Sequence, residues 1–290
     1  MMKESKNRGQ VILIILLITT VGLTIGLSLV SRTITDIKVS TQITESSKAF
    51  SAAESGIEAA LKGTSIGDIG SLDLGGGASA NYAVTEYGNS DDPLVFKDVA
   101  AGDAKTIWLV KHDEATGNIL TPPDTNGKYD SQRIEICWGK DLSNPSEVPA
   151  VEVSLLYYDT NELSYKMGTL AFDDNDSRVN GFEKDVDNGN TQARCSNENR
   201  RYNVELNFSA NTDYGFNANA SFTRVALMVK PLYAQTDVVI GTESGKNLPS
   251  QGKQITSTGT TTSGTARKIS VVQGHATLPP IFGYTLFTTN

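Results

Sequence analysis

Histidine is nearly absent from this 290-residue chain, which has only His112 and His275, far apart in sequence. Also absent are a phosphate-binding GxxxxGK[ST] loop, a GxSxG elbow and an HExxH helix, so the common signatures of nucleotide hydrolysis, acyl transfer and zinc proteolysis are missing. His112-Asp113 opens a turn-like stretch, DEATGN, with no nucleophile arrangement around it. Each histidine therefore reads as an isolated surface or core residue, and the chain as a non-enzyme without a cofactor. Cysteine is equally scarce. Cys137 and Cys195 have no second Cys or His beside them, which argues against zinc. Aromatic residues make up 7% of the chain against 26 glycines, a balance that suits turn-rich β structure better than a helical bundle. Basic residues are outnumbered, 25 to 33, for a net charge of −8 and a pI near 4.9. No global positive field would attract nucleic acid, and none is expected as a partner.

One stretch lacks charge altogether. Val11 to Val30 (VILIILLITTVGLTIGLSLV) is a run of 20 uncharged, mostly apolar residues, directly behind a nine-residue leader that ends in Arg8-Gly9. As a helix it spans roughly 30 Å, the thickness of a bilayer hydrocarbon core. The leader carries Lys3, Lys6 and Arg8 against Glu4, which predicts a cytoplasmic leader and an extracytoplasmic remainder. A cleaved secretory signal is the rival reading. Against it stand the length of the run and its exit, Leu29-Val30-Ser31-Arg32, which has no small-x-small cleavage site. The helical pattern also continues. From Arg32 to Lys62 there is no Pro and no Gly before Gly56, and Phe50, Ala53, Ile57, Ala60 and Leu61 recur at helical spacing. The expected organisation is leader 1–9, transmembrane helix 10–31 and amphipathic extension 32–63. Gly22 and Gly26 form a GxxxG step, a spacing that lets helix backbones approach in lipid and that also arises from composition alone.

Beyond the helix, residues 64–77 sit in the glycine-rich GTSIGDIGSLDLGGG and read as a linker. Residues 78–290 then read as one β-rich head. Its strand-like segments are Tyr82–Tyr87, Thr106–Lys111, Arg133–Trp138, Val151–Tyr158, Leu163–Phe172, Tyr202–Phe208, Arg224–Val229, Asp237–Ile240, Lys268–Val272 and Tyr284–Phe287. The fold class is α+β: a long N-terminal helix followed by a mainly antiparallel β head. Alternation in Arg133–Trp138 predicts one packed and one wet face. Asp159-Thr160-Asn161 is expected to form a short hairpin loop, and GTTTSG (Gly259 to Gly264) to join a second hairpin rather than form a flexible tract. Asp173 to Asn190 gathers Asp173, Asp174, Asp176, Glu183, Asp185 and Asp187. These oxygens are weak candidates for calcium, but the spacing fails the EF-hand template and a solvated loop is the better reading. Outside the cytoplasm, Cys137 and Cys195 are expected to pair, the alternative being two buried free thiols.

The N-terminal sixty residues resemble a known family. A short basic leader ending in Gly9, an apolar helix starting at once and a helix of about fifty residues look like a type IV pilin precursor. AFSAAESGIEAAL (Ala49 to Leu61, with Phe50 and Glu54) is similar to the AF-x-AAE segment of PilX-type minor pilins. The resemblance implies cleavage after Gly9 by a prepilin peptidase, methylation of the new terminus at Gln10, and packing of Val11 to Val30 and beyond among other pilin subunits in the cytoplasmic membrane and then in a surface filament. Two positions depart from the pattern: Gln10 stands where most members have an apolar residue, and Ile14 where major pilins carry Glu. A carboxylate there is costly in lipid and is understood to pair with a neighbour's terminus. Its loss points to a tip or initiating position, or to a lineage in which the acid disappeared. The resemblance thus implies a minor pilin or pseudopilin, of PilX or GspK type, in a type IV pilus or a type II secretion-like filament; the alternative to a filament subunit is a membrane-anchored surface binding or adhesion protein.

Overall fold

In a computed structural model of the chain, which describes residues 8–63, 65–113, 116–123, 125–139, 148–184, 194–195, 200–208 and 221–277, the first element is one helix, α1, Arg8–Leu61. Its threonines satisfy their hydroxyls locally. Thr19, Thr20, Thr33, Thr35 and Thr41 each donate to the carbonyl four residues back, and Thr24 to that of Val21 three back. These threonine hydroxyls are then not left bare on an apolar surface, where they would be costly. Residues 10–44 are exposed throughout. By length and composition Gln10–Leu61 is able to cross a membrane.

From Glu45 the helix acquires a covered side. Ala49, Ala52, Ala53, Ile57 and Ala60 are buried and fall on one helical face, with Ala49, Ala53 and Ile57 four residues apart and Ala60 three further on. Phe50 and Leu61, grouped with that face by their spacing, are instead 47% and 44% exposed. The covering element is a four-stranded sheet, order β1-β2-β11-β12. Its strands are β1 Ile69–Gly75, β2 Ala78–Tyr87, β11 Gly252–Thr261 and β12 Ala266–Gly274. Small residues set the distance. A Cβ built on Gly259 would strike Ala49 O and Ala53 N, and one on Gly56 would strike Ser257 and lie 3.3 Å from Ala80 Cβ. Polar ties flank this contact: Ser263 Oγ donates to Glu45 (2.8 Å) and Arg267 Nε to Ser46 Oγ (2.8 Å).

The linker expected at 64–77 is largely a hairpin. β1 pairs antiparallel with β2 from Ile69↔Ala83 to Asp73↔Ser79, and Gly75, Gly76 and Gly77 all have positive φ. The glycines are there to reverse the chain tightly, not to leave it loose. The single head is also revised. The chain divides into two compact units, one of residues 69–83 and 255–271 with the helix, the other of 65–68, 84–254 and the segment from Val272 onward.

The second unit is a two-sheet sandwich. One sheet has the order β3-β10-β5-β8, the other β4-β9-β6-β7, and every pairing resolved in them is antiparallel. The strands are β3 Leu94–Val99, β4 Lys105–Trp108, β5 Arg133–Trp138, β6 Ala150–Asp159, β7 Ser164–Phe172, β8 Tyr202–Asn207, β9 Phe222–Leu232 and β10 Thr236–Thr242. Ile134, Ile136, Trp138 and Ile240 of one sheet join Ile107, Val153, Leu227 and Val229 of the other in one core. β6 and β7 form the hairpin anticipated at Asp159-Thr160-Asn161, and β11 and β12 the one anticipated at Gly259 to Gly264. The candidate strand Tyr284–Phe287 lies outside the described residues.

Candidate functional site

Gly22 and Gly26 face open space: nothing lies within 4 Å of a Cβ built on either. Val11, Ile14 and Val30 are likewise exposed, at 55%, 58% and 59%. Gln10 opens the exposed stretch, and Glu54 is exposed. The main chain of Gly9 is already helical, and residues 1–7 of the leader lie outside the described part. Past the apolar run, Val39, Ile43, Phe50 and Leu61 are 48%, 62%, 47% and 44% exposed. Their intervals of 4, 7 and 11 residues are close to one, two and three helical turns. They fall along one edge of α1, the edge that includes buried Ile57, while Ile34 and Ile37, 49% and 60% exposed, lie on other sides.

Cys137 and Cys195 are joined in a disulfide, and both are fully buried. The bond lays residues 194–195 over the outer face of β5. There Glu135, expected to be wet, is 4% exposed and accepts N–H bonds from Arg194 (2.6 Å) and Cys195 (3.1 Å). Burial pushes its carboxyl above the ordinary value, and the two N–H groups pull it back. Glu135 and the two sulfurs also form the one cluster of metal-type ligands among the described residues. Oxidation of both sulfurs removes the thiolates a metal would need.

The acidic loop is not simply solvated. Asp173 is fully buried and takes bonds from Asn180 Nδ2 (2.7 Å), Arg178 Nη1 (3.2 Å) and the Asn175 N–H (3.0 Å), with Lys184 Nζ at 3.8 Å. Its carboxylate organises the loop, and its lone pairs are used by the chain itself rather than left for calcium. Asp174 and Asp176 lie in the same turn region; Asp185 and Asp187 lie outside the described residues.

The two histidines are not isolated. They lie together in the second unit, across 163 residues of sequence, with ring centroids 3.9 Å apart and planes 5° from parallel. Trp108 meets His112 edge-on at 4.6 Å. A cleft of about 390 Å³ is lined by both rings and by Glu86, Lys111, Asp113 and Lys253. Burial, then the neighbouring His275, lowers His112 to about 4; burial and Lys253 lower His275, partly opposed by a hydrogen bond to the Ser250 backbone. Both rings are thus neutral at pH 7. Asp113 Oδ1 is held by the Thr116 N–H and hydroxyl, both at 2.8 Å, so the neighbouring carboxylate is engaged in its own turn. Local sequence carries no signal for this pair, because the stack forms only when the ends of β4 and β12 are brought together.

Gln251 ties Trp108 to the start of the segment that carries His275. Its Oε1 accepts the Trp108 N–H (2.7 Å), its Nε2 donates to Trp108 O (2.9 Å) and Pro249 O (2.7 Å), and its main-chain carbonyl accepts the His275 N–H (3.1 Å). The side chain takes the place of a neighbouring strand for Trp108. Gln251→Leu leaves three buried backbone groups without partners and is expected to destabilise the protein by about 2–4 kcal/mol. Denaturant unfolding of the full chain in detergent checks this, and an unchanged midpoint would show that water replaces the amide.

Comparison with protein-family models and with curated proteins finds no match to this chain.

Proposed function

We propose that this chain is a filament subunit of the type IV pilin kind, matured after Gly9 and assembled through α1. One observation carries the reading. α1 continues unbroken past the membrane-length run and keeps Ile34, Ile37, Val39, Ile43, Phe50 and Leu61 exposed beyond it. A simple anchor needs apolar surface only within the bilayer, whereas a helix that packs against other helices needs it along its whole length. The leader, its Gly9 boundary and the AFSAAESGIEAAL segment support the same reading by resemblance. In it, prepilin peptidase and other pilin subunits are the partners, the cytoplasmic membrane holds the subunit before assembly, and the sheets stand outside. Ile14 in place of a charged residue suits an initiating or tip position, where no terminus above requires an acid. The second reading, a surface binding protein that never leaves the membrane, shares the span and the disulfide. No catalytic role is proposed.

Processing separates the two. The mature protein isolated from its native cells is expected to begin at Gln10, and Gly9→Leu to leave the full precursor in the membrane fraction. Intact mass spectrometry reads both. A native terminus at Met1 would favour the permanent anchor, and identical processing of wild type and Gly9→Leu would exclude the site.

A further inference from the structure

The assembly reading makes no use of the stacked histidines. Their geometry is unusual for surface residues: parallel rings 3.9 Å apart, with His112 only 6% exposed and its Nδ1 without a hydrogen-bond partner. His275 comes directly after β12, and its main-chain N–H is tied to Gln251. His112 follows β4. The pair therefore pins the segment after β12 to the segment after β4, within one unit. We propose that the stack is an acid-operated clasp, which holds residues 275–277 in place while both rings are neutral and releases them when the rings take up protons.

The charges facing the pair set its response. Lys111 beside His112 and Lys253 at the start of β11 are cationic; Asp113 beside His112 and Glu86 near the end of β2 are anionic. The carboxylates do not offset burial, since both imidazoles are held below their ordinary value, and Lys253 adds to the effect on His275. The direction follows by linkage. Each histidine binds its proton more weakly in the closed state than when released, so closure is fully favoured above pH 6.5 and is progressively lost as pH falls toward 4. His112 alone, moving between about 4 closed and 6.5 released, sets a ceiling of roughly 30-fold on the opening equilibrium at pH 5. Two imidazolium rings at stacking distance would also repel.

The chain has only these two histidines, so selective histidine labelling of the full chain in detergent micelles reports on them alone. NMR titration is expected to show both rings gaining protons below pH 6.5, His112 lowest. Hydrogen-exchange mass spectrometry, corrected for intrinsic rates, is expected to show protection at the His275 amide, in peptides covering residues 275–277, falling at least tenfold between pH 7 and pH 5. The His112→Phe/His275→Phe double variant keeps flat rings that cannot charge, and its protection should not change over that interval. An equal fall in that variant, or none in wild type, overturns the clasp. Should the double variant not fold, the wild-type titration still decides: both rings titrating near 6.5 would rule the clasp out.

Discussion

Gly259→Val is expected to separate α1 from its sheet. A Cβ at this position falls on Ala49 O and Ala53 N, with Ala52 Cβ at 2.9 Å, and two of these three atoms are helix backbone that no rotamer change can move aside. The helix must retreat as a body. That opens the neighbouring Gly56 contact with Ser257 and Ala80, and pulls Glu45 from Ser263 and Ser46 from Arg267. Overpacking at well-fitted sites costs about 1–3 kcal/mol, and the rigid obstacle here places valine at or above the top of that range. Alanine should act in the same direction with a smaller effect. Hydrogen exchange resolves where the damage falls: amides of β2 and β11 lose protection, while β5, β6 and β9 keep theirs. Wild-type protection of β11 in the valine variant would mean that the helix does not rest on Gly259.

Loss of the disulfide is expected to have the largest effect on stability. The bond closes a 58-residue interval, and removing it restores chain entropy to the unfolded state worth about 4 kcal/mol. For a unit of this size that corresponds to a fall in melting temperature of roughly 8–16 °C. The local consequence adds to the global one. Residues 194–195 are held against β5 by the bond, and they supply the two N–H groups that Glu135 accepts. Without them a buried carboxyl on a central strand loses its partners. The Cys137→Ser/Cys195→Ser variant tests this without leaving a stray thiol. An unchanged melting curve, or two reactive thiols in the unfolded, unreduced wild type, would contradict it.

The elements that sequence reveals are those fixed by local pattern. Val11 to Val30 reads as a helix because twenty uncharged, mostly apolar residues behave alike in any context. β5 was bounded correctly at Arg133 and Trp138, since its alternation ends at those residues. Its wet face was not, because burial of Glu135 depends on a segment 60 residues away that is brought in by the disulfide. β1 was hidden by its glycines, which read equally as slack chain or as a tight reversal. β3 was missed where Lys97 and Asp98 break the apolar run; Asp98 adopts a φ of 52° near a register shift against β10. Phe50 shares helical spacing with Ala53 and Ile57, yet the spacing cannot say which side a sheet will cover. The histidine pair is the clearest case, its partners set by topology alone.

α1 has a mechanical consequence. Between residues 32 and 44 it is exposed throughout and contains neither Gly nor Pro, so it has no hinge. Thirteen residues of free helix make a rigid spacer of about 20 Å. In the proposed assembly reading, with residues 10–31 in a bilayer, the sheet seated on Ala49, Ala53 and Gly56 must follow every tilt and turn of the span. A twist applied at the membrane end is delivered to the sheet as torque, and a pull along the axis reaches the Gly259 seat with little slack to absorb it.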